Sequence, residues 1–258
     1  MKLHFYKYQG AGNDFILADN RDKKISLTQE QVARLCDRRF GIGADGLMLL
    51  EPAEGYDFRM MYYNSDGNES TMCGNGGRCI TAFARHIGAT GNKATFIAID
   101  GPHEAHIDEQ QLVHLAMQDV TGIEFDKGYA ILNTGSPHYV KWVPDVDKQD
   151  VFHTGRQIRN QQEFQPKGIN VNFVQKTGND IKVRTYERGV EDETLSCGTG
   201  VTASAIATVL DELGTFDTTI HTPGGVLNVS FTKDSPDTAK NVILTGPAVL
   251  VFEGDITI

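Results

Sequence analysis

Cysteine is scarce in this chain: four among 258 residues, and no two of them form a C-x-x-C pair. So few cannot build a disulfide scaffold, and the missing spacing excludes a zinc ribbon or a thioredoxin-like motif. A reducing cytosol is the expected compartment. Long apolar runs are also absent, with none reaching the roughly 18 residues of a membrane span. The N-terminus goes from Met1 to Lys7 straight into strand-like alternation, without the apolar core of a signal peptide. Neither a membrane nor export is expected. Basic charge is in short supply too: 24 Lys and Arg stand against 34 Asp and Glu, a net charge of −10. That balance repels polyanions, so nucleic acid is not an expected partner. The glycine turns lack the G-x-x-x-x-G-K-[ST] phosphate signature and nothing marks a pyridoxal lysine, so no cofactor is expected. What remains is an apolar fraction of 40%, enough for one large core or two ordinary ones.

Two of the four cysteines have unusual surroundings. Met72-Cys73-Gly74-Asn75-Gly76-Gly77-Arg78 and Ser196-Cys197-Gly198-Thr199-Gly200-Val201 each place a cysteine on a glycine-rich turn ahead of helical apolar spacing. The first amides of such a helix have no intrahelical partner and carry partial positive charge. A cysteine there is biased toward thiolate, and the same amides suit a carboxylate. Cys36 and Cys79 instead fall on apolar helix positions and are expected to be buried and inert.

The two cysteine turns lie 124 positions apart, and other landmarks keep nearly that offset. Gly135-Ser136-Pro137-His138 breaks a strand pair as Gly12-Asn13-Asp14 does, Tyr186-Glu187 answers Tyr63-Asn64, and Gly225 answers Gly101. An internal duplication follows. In the first half, Thr28 with Gln31 predicts a helix running to Arg39, strands are predicted from Tyr56 to Tyr63, Thr95 to Ile99 and Leu112 to Met117, and the helix after Cys73 stops at Gly88. In the second half the helix after Cys197 is predicted to continue through Val209, Leu210 and Leu213 to Gly214. His103, Glu104 and His106 are read as an exposed strand face, not a metal site. By pattern alone the last strand, from Val249, could complete either half. Two similar lobes are expected to set Cys73 and Cys197 symmetrically across a cleft. A pair of thiols suits inversion of a stereocentre, where one group removes a proton and the other returns one. The amides of Gly74, Asn75, Gly198 and Thr199 would stabilise charge developing on a substrate carboxylate.

The blocks Gly12-Asn13-Asp14-Phe15, Gly41 to Gly46, Asn64-Ser65-Asp66-Gly67, Met72 to Cys79, Pro137-His138, Asn170-Val171-Asn172-Phe173, Glu187-Arg188-Gly189 and Cys197-Gly198-Thr199-Gly200 together resemble the diaminopimelate epimerase family, and the likeness spans the chain. The resemblance implies an α+β fold of two pseudo-symmetric lobes, each a mixed sheet wrapped around a central helix. One lobe would comprise 1–118 with 247–258 and carry Cys73, and the other 119–246 and carry Cys197. It implies a cofactor-independent two-base epimerase interconverting LL- and meso-2,6-diaminopimelate in a bacterial cytoplasm, usually as a homodimer, on the route to lysine and peptidoglycan. Cys73 and Cys197 would be the acid/base pair, with His138 and Glu187 behind them tuning their protonation. Asn13, Asn64, Ser136, Asn170, Glu187 and Arg188 would hold the amino-acid substrate, and the amides at Gly74, Asn75, Gly198 and Thr199 its reacting carboxylate. No metal enters this scheme. Ser136 departs from the asparagine of many family members, and the connection from Val190 to Ser196 is one residue longer and more acidic than usual. Two rival readings stand beside this one. A proline racemase or hydroxyproline epimerase would need an apolar distal pocket, and a non-catalytic amino-acid-binding protein would not need its cysteines.

Overall fold

Residues 2–258 are described by a computed structural model. They fall into two compact units, one running to Leu115 and resuming at Gly246–Ile258, the other Ala116–Thr245. In the first unit the strands are β1 (Lys2–Gly10), β2 (Asn13–Asp19), β3 (Gly46–Glu51), β4 (Phe58–Asn64), β5 (Lys93–Ala98), β6 (Gly101–Ile107) and β7 (Val113–Ala116). Successive neighbours pair antiparallel, parallel, antiparallel, parallel, antiparallel and antiparallel. The C-terminal strand Val249–Thr257 adds antiparallel to β1.

Side chains alternate across this sheet, and both faces are covered. Helix α1 (Gln29–Cys36) covers one with Val32, Leu35 and Cys36 against Leu3, Phe5, Ile16, Ala18, Leu47 and Leu49. Helix α2 (Gly74–His86) covers the other, packing on β1, β2, β3, β6 and the C-terminal strand. Burial on both faces explains why Phe15-Ile16-Leu17-Ala18 and Leu47-Met48-Leu49-Leu50 read as continuous apolar runs. Helix α1 starts at the predicted Thr28 capping box but ends at Cys36, short of Arg39. Asp37 ends it, because its carboxylate accepts from the backbone N–H groups of Arg39 at 2.8 Å and Phe40 at 2.7 Å and so favours a turn.

The second unit contains β8 (Val120–Thr121), β9 (Glu124–Asp126), β10 (Tyr129–Asn133), β11 (Pro137–Trp142), α3 (Val151–Arg159), β12 (Asn170–Thr177), β13 (Asp180–Glu187), β14 (Asp192–Thr194), α4 (Gly198–Thr208), β15 (Gly214–Thr222), β16 (Gly225–Lys233) and β17 (Thr238–Gly246). From β10 through β11, β12, β13, β15 and β16 to β17 the same six pairing senses recur in the same order. The recurring offset of the sequence is thus a repeated topology. Strands β9 and β8 extend its two edges.

Helix α4 packs on β10, β11, β12, β13, β15 and β16 and is buried almost all round. Its composition permits that. Thr202, Ser204 and Thr208 donate their hydroxyls to the carbonyls of Gly198, Gly200 and Ala205 at 2.7–2.9 Å, so no polar side-chain group needs water. The helix ends at Thr208, not near Gly214 as its apolar spacing predicted. Leu210 takes a left-handed φ of 50° and both Leu210 and Leu213 are exposed. Its carbonyl accepts from the buried Lys233 ammonium, a cation suitably placed beyond a helix C-terminus. A further correction concerns His103. It is buried, stacked on Phe96 and bonded to Asp100, while the other two, Glu104 and His106, point outward from β6.

Candidate active site

Cys73 is the N-cap of α2, in extended backbone (φ −106°, ψ 148°), and its sulfur accepts from the Gly76 N–H at 3.2 Å. The glycine-rich run allows this turn to lie close to the sheet. A Cβ on Gly76 would stand 2.5 Å from the Met48 side chain and 3.2 Å from the Cys73 sulfur. Asn13, at the start of β2, faces the thiol. Its Nδ2 donates to Asp45 at 2.5 Å, which leaves Oδ1 to accept from Asn75 at 3.3 Å and from the Cys73 thiol at 3.9 Å. Cys73 therefore has a backbone donor for its thiolate form and an amide acceptor for its thiol form.

Sequence reading missed the groups that hold this arrangement. Arg78, fully buried one turn into α2, donates to the Gly74 carbonyl at 3.2 Å, to Asn75 Oδ1 at 3.0 Å and to the Pro247 carbonyl at 3.4 Å. Burial pushes its pKa down to about 10, against the opposing influence of Cys79 and Cys73. Asp14 and Asp45 share Arg38, with contacts of 2.6 and 2.7 Å, and Asp14 also pairs with the buried Lys7 at 2.6 Å. Burial alone would raise the Asp14 carboxyl, but hydrogen bonds from Arg38 and Lys7 outweigh it and hold the group down at about 2. A carboxyl depressed in the folded state stabilises above its unfolded pKa, about 3.9, and loses that contribution as pH falls through the folded value. Asp14→Asn is expected to unfold about 2 kcal/mol more easily than the parent at pH 6. Urea titrations should show the gap closing between pH 4 and pH 2.

Cys197 is the corresponding N-cap of α4, with φ −119° and ψ 114°. Its sulfur lies 3.5 Å from Thr199 Oγ1, and that hydroxyl lies 2.9 Å from Nε2 of His138, which is wholly buried on β11. Burial first, and the Arg188 charge second, push His138 down to about 3, so the ring is neutral at physiological pH. Asn170, on the parallel neighbour β12, donates to Ser136 Oγ at 2.7 Å and accepts from the Arg188 N–H at 2.9 Å. Ser136 Oγ is 3.3 Å from His138 Nε2. The shorter side chain at position 136 is thus tied to both Asn170 and His138. Glu187, at the end of β13, accepts from Thr194 at 2.9 Å. Asn64 is exposed at the end of β4.

The acidic connection after Gly189 is ordered by its own charges. It folds back as β14 against β13, with Glu193 gripping Arg184 through two contacts of 2.6 Å and Glu191 reaching Arg159 at 3.0 Å. Bidentate pairing of this kind fixes geometry as well as charge.

Twin lobes of this topology define a class of two-lobed α+β proteins that other solved structures share. A phenazine biosynthesis protein of the PhzF family from Bacillus anthracis matches with a TM-score of 0.71 at 16% identity, covering 100% of both chains. A probable proline racemase from Agrobacterium radiobacter K84 matches with a TM-score of 0.66 at 14% identity, covering 99% of this chain and 93% of that one. Likeness at such identities establishes the fold alone. The sequence is more specific: the family model for diaminopimelate epimerase matches residues 5–123 and 130–251. The diaminopimelate epimerase of Flavobacterium psychrophilum is 50% identical over 262 residues, 99% of this chain and 100% of that protein. The chain belongs to the diaminopimelate epimerase family and is an enzyme of the isomerase class.

Proposed function

We propose that this enzyme interconverts LL- and meso-2,6-diaminopimelate without a cofactor, using Cys73 and Cys197 as its two proton-transfer groups. The observation that carries this reading is the equivalence of the two cysteines: each is the N-cap of the helix buried in its own copy of the repeated topology. In the forward direction one sulfur, as thiolate, takes the α-proton, and the other, as thiol, protonates the opposite face of the carbanion. Their roles exchange in reverse. The amides at Gly74, Asn75, Gly198 and Thr199, in the first turns of α2 and α4, are preorganised donors for charge developing on the α-carboxylate. Asn13, Asn64, Ser136, Asn170, Glu187 and Arg188 supply the hydrogen-bonding and charged groups that a zwitterionic distal end requires.

The same proposal places the enzyme in the cytoplasm, in the supply of lysine and peptidoglycan precursors. Among the described residues no helix is long and apolar enough to cross a membrane. A homodimer is part of the proposal too, supported by Val249, Val251 and Phe252, which are exposed on the C-terminal strand.

Incubation in heavy water with LL-diaminopimelate or with L-proline, followed by proton NMR, tests the substrate. Loss of the α-proton signal is expected with diaminopimelate and not with proline. Exchange of proline alone would replace this assignment with that of a cyclic amino acid.

A further inference from the structure

Asn172 sits within β12 with its side chain wholly buried, against the ring of His138. Its Nδ2 lies 3.3 Å from the Tyr139 carbonyl oxygen and 3.0 Å from His138 Nδ1, while its Oδ1 accepts from Thr185 Oγ1 at 2.9 Å. A carbonyl oxygen can only accept, so the amide nitrogen must be the atom that faces Tyr139. The same nitrogen then presents a proton to His138 Nδ1. That leaves Nδ1 as the bare acceptor and puts the single ring proton of neutral imidazole on Nε2.

From Nε2 the direction of the next bond follows. The ring donates to Thr199 Oγ1 at 2.9 Å, so the Thr199 hydroxyl is free to point its own proton at the Cys197 sulfur, 3.5 Å away. Thr199 is also anchored through its backbone, whose carbonyl accepts from Thr134 Oγ1 at 2.8 Å. Close approach of Asn172 to α4 depends on Gly200, where a Cβ would lie 2.4 Å from Asn172 Oδ1 and 3.2 Å from Cys197 Cβ. The charged group that acts on the ring is Arg188, and a cation there opposes any second proton.

We propose that Asn172 is a positioning residue that locks His138 in its Nε2–H tautomer, so that His138 and Thr199 together present a hydrogen-bond donor, not a base, to Cys197. In this arrangement the histidine stores no proton during turnover, and the proton exchanged at this sulfur passes between it and the substrate carbon. The donor stabilises the thiolate. This inference rests on the proposed role of Cys197, but the state of the ring can be measured without reference to activity.

Long-range proton–nitrogen NMR of uniformly 15N-labelled enzyme, with the His138 signals assigned from His138→Gln, reports which ring nitrogen carries the proton. The expected result is a bare Nδ1 and a protonated Nε2, unchanged from pH 5.5 to 8.5. A protonated Nδ1, or a ring that titrates within that range, overturns the proposal. In a second experiment, Asn172→Asp places a carboxylate against Nδ1, which should draw a proton there and bring His138 into the titrating range. The expected signature is a new limb in the pH profile of kcat, a fall in kcat of at least about tenfold at pH 7.5, and KM changed less than about twofold. A folded Asn172→Asp enzyme with the parental pH profile and tautomer overturns it as well. Failure of the Cys197 assignment would appear separately, as activity retained in Cys197→Ala with the ring state as described.

Discussion

Cys73→Ala and Cys197→Ala are each expected to lower the interconversion of diaminopimelate stereoisomers by at least about a hundredfold, since one positioned proton-transfer group contributes about 10²–10⁴ in rate. The loss should be in kcat. The helix-terminal amides that bind the carboxylate belong to the backbone and survive either substitution, so binding of the substrate should change little. Each change removes only a sulfur: Cys73 is half-buried, and Cys197, though buried, heads a helix that is held by its own hydroxyl bonds. Thermal unfolding should therefore stay close to the parent, separating lost chemistry from lost fold.

A more discriminating result comes from exchange in heavy water. A variant that keeps one sulfur can still remove an α-proton from the stereoisomer that presents it to that sulfur, but it cannot return one to the other face. Each single variant should thus exchange one isomer and leave the other untouched, with opposite preferences for the two variants. A Cys73→Ala, Cys197→Ala double variant with the parental rate would exclude both sulfurs from the reaction.

How far the sequence discloses this molecule depends on whether a feature is local. Both cysteine caps are local, because glycine turn, cysteine and helical spacing lie within a few residues, and both are found where expected. The duplication is legible because a repeat needs only an offset. The end of α4 is not. Apolar spacing carries on past Thr208, and what stops the helix is a leucine at positive φ whose carbonyl is held by Lys233 from another strand. His103 was misjudged for the opposite reason. It lies in a strand where histidine, glutamate and histidine look alike in polarity, yet alternation turns it inward onto Phe96. Asn172 was visible within a motif, but its function depends on which atoms of β11 and α4 it meets. Those contacts span 28 to 34 positions of sequence, to Gly200 and His138.

Arg78→Met is expected to damage both the stability of the first unit and the reactivity of Cys73. A fully buried guanidinium with no ion pair among the described residues is an uncommon expense for a fold, since burial alone disfavours the charge. It donates to three acceptors: the Gly74 carbonyl, the Asn75 amide oxygen and the Pro247 carbonyl. Methionine matches much of the volume but satisfies none of them. Losing the three hydrogen bonds that this buried cation donates should cost about 2–5 kcal/mol, read as a lower urea midpoint. The bond to Pro247 fastens α2 to the segment leading into the C-terminal strand, so that strand should lose hydrogen-exchange protection first. The bond to Asn75 acts on the site itself. Without it Asn75 can rotate away from Asn13, and Asn13 then loses one of the partners that aim its Oδ1 at the Cys73 thiol. The interaction that raises the Arg78 pKa through Cys73 is mutual, so removing the cation also disfavours the thiolate. Alkylation of Cys73 by iodoacetamide at pH 7.5 should slow by about tenfold in Arg78→Met. Arg78→Lys separates the two effects. It keeps the charge but lacks the planar fork, so it should recover much of the alkylation rate while recovering less of the stability. Equal alkylation rates in the parent and Arg78→Met would show that the buried charge serves the fold alone.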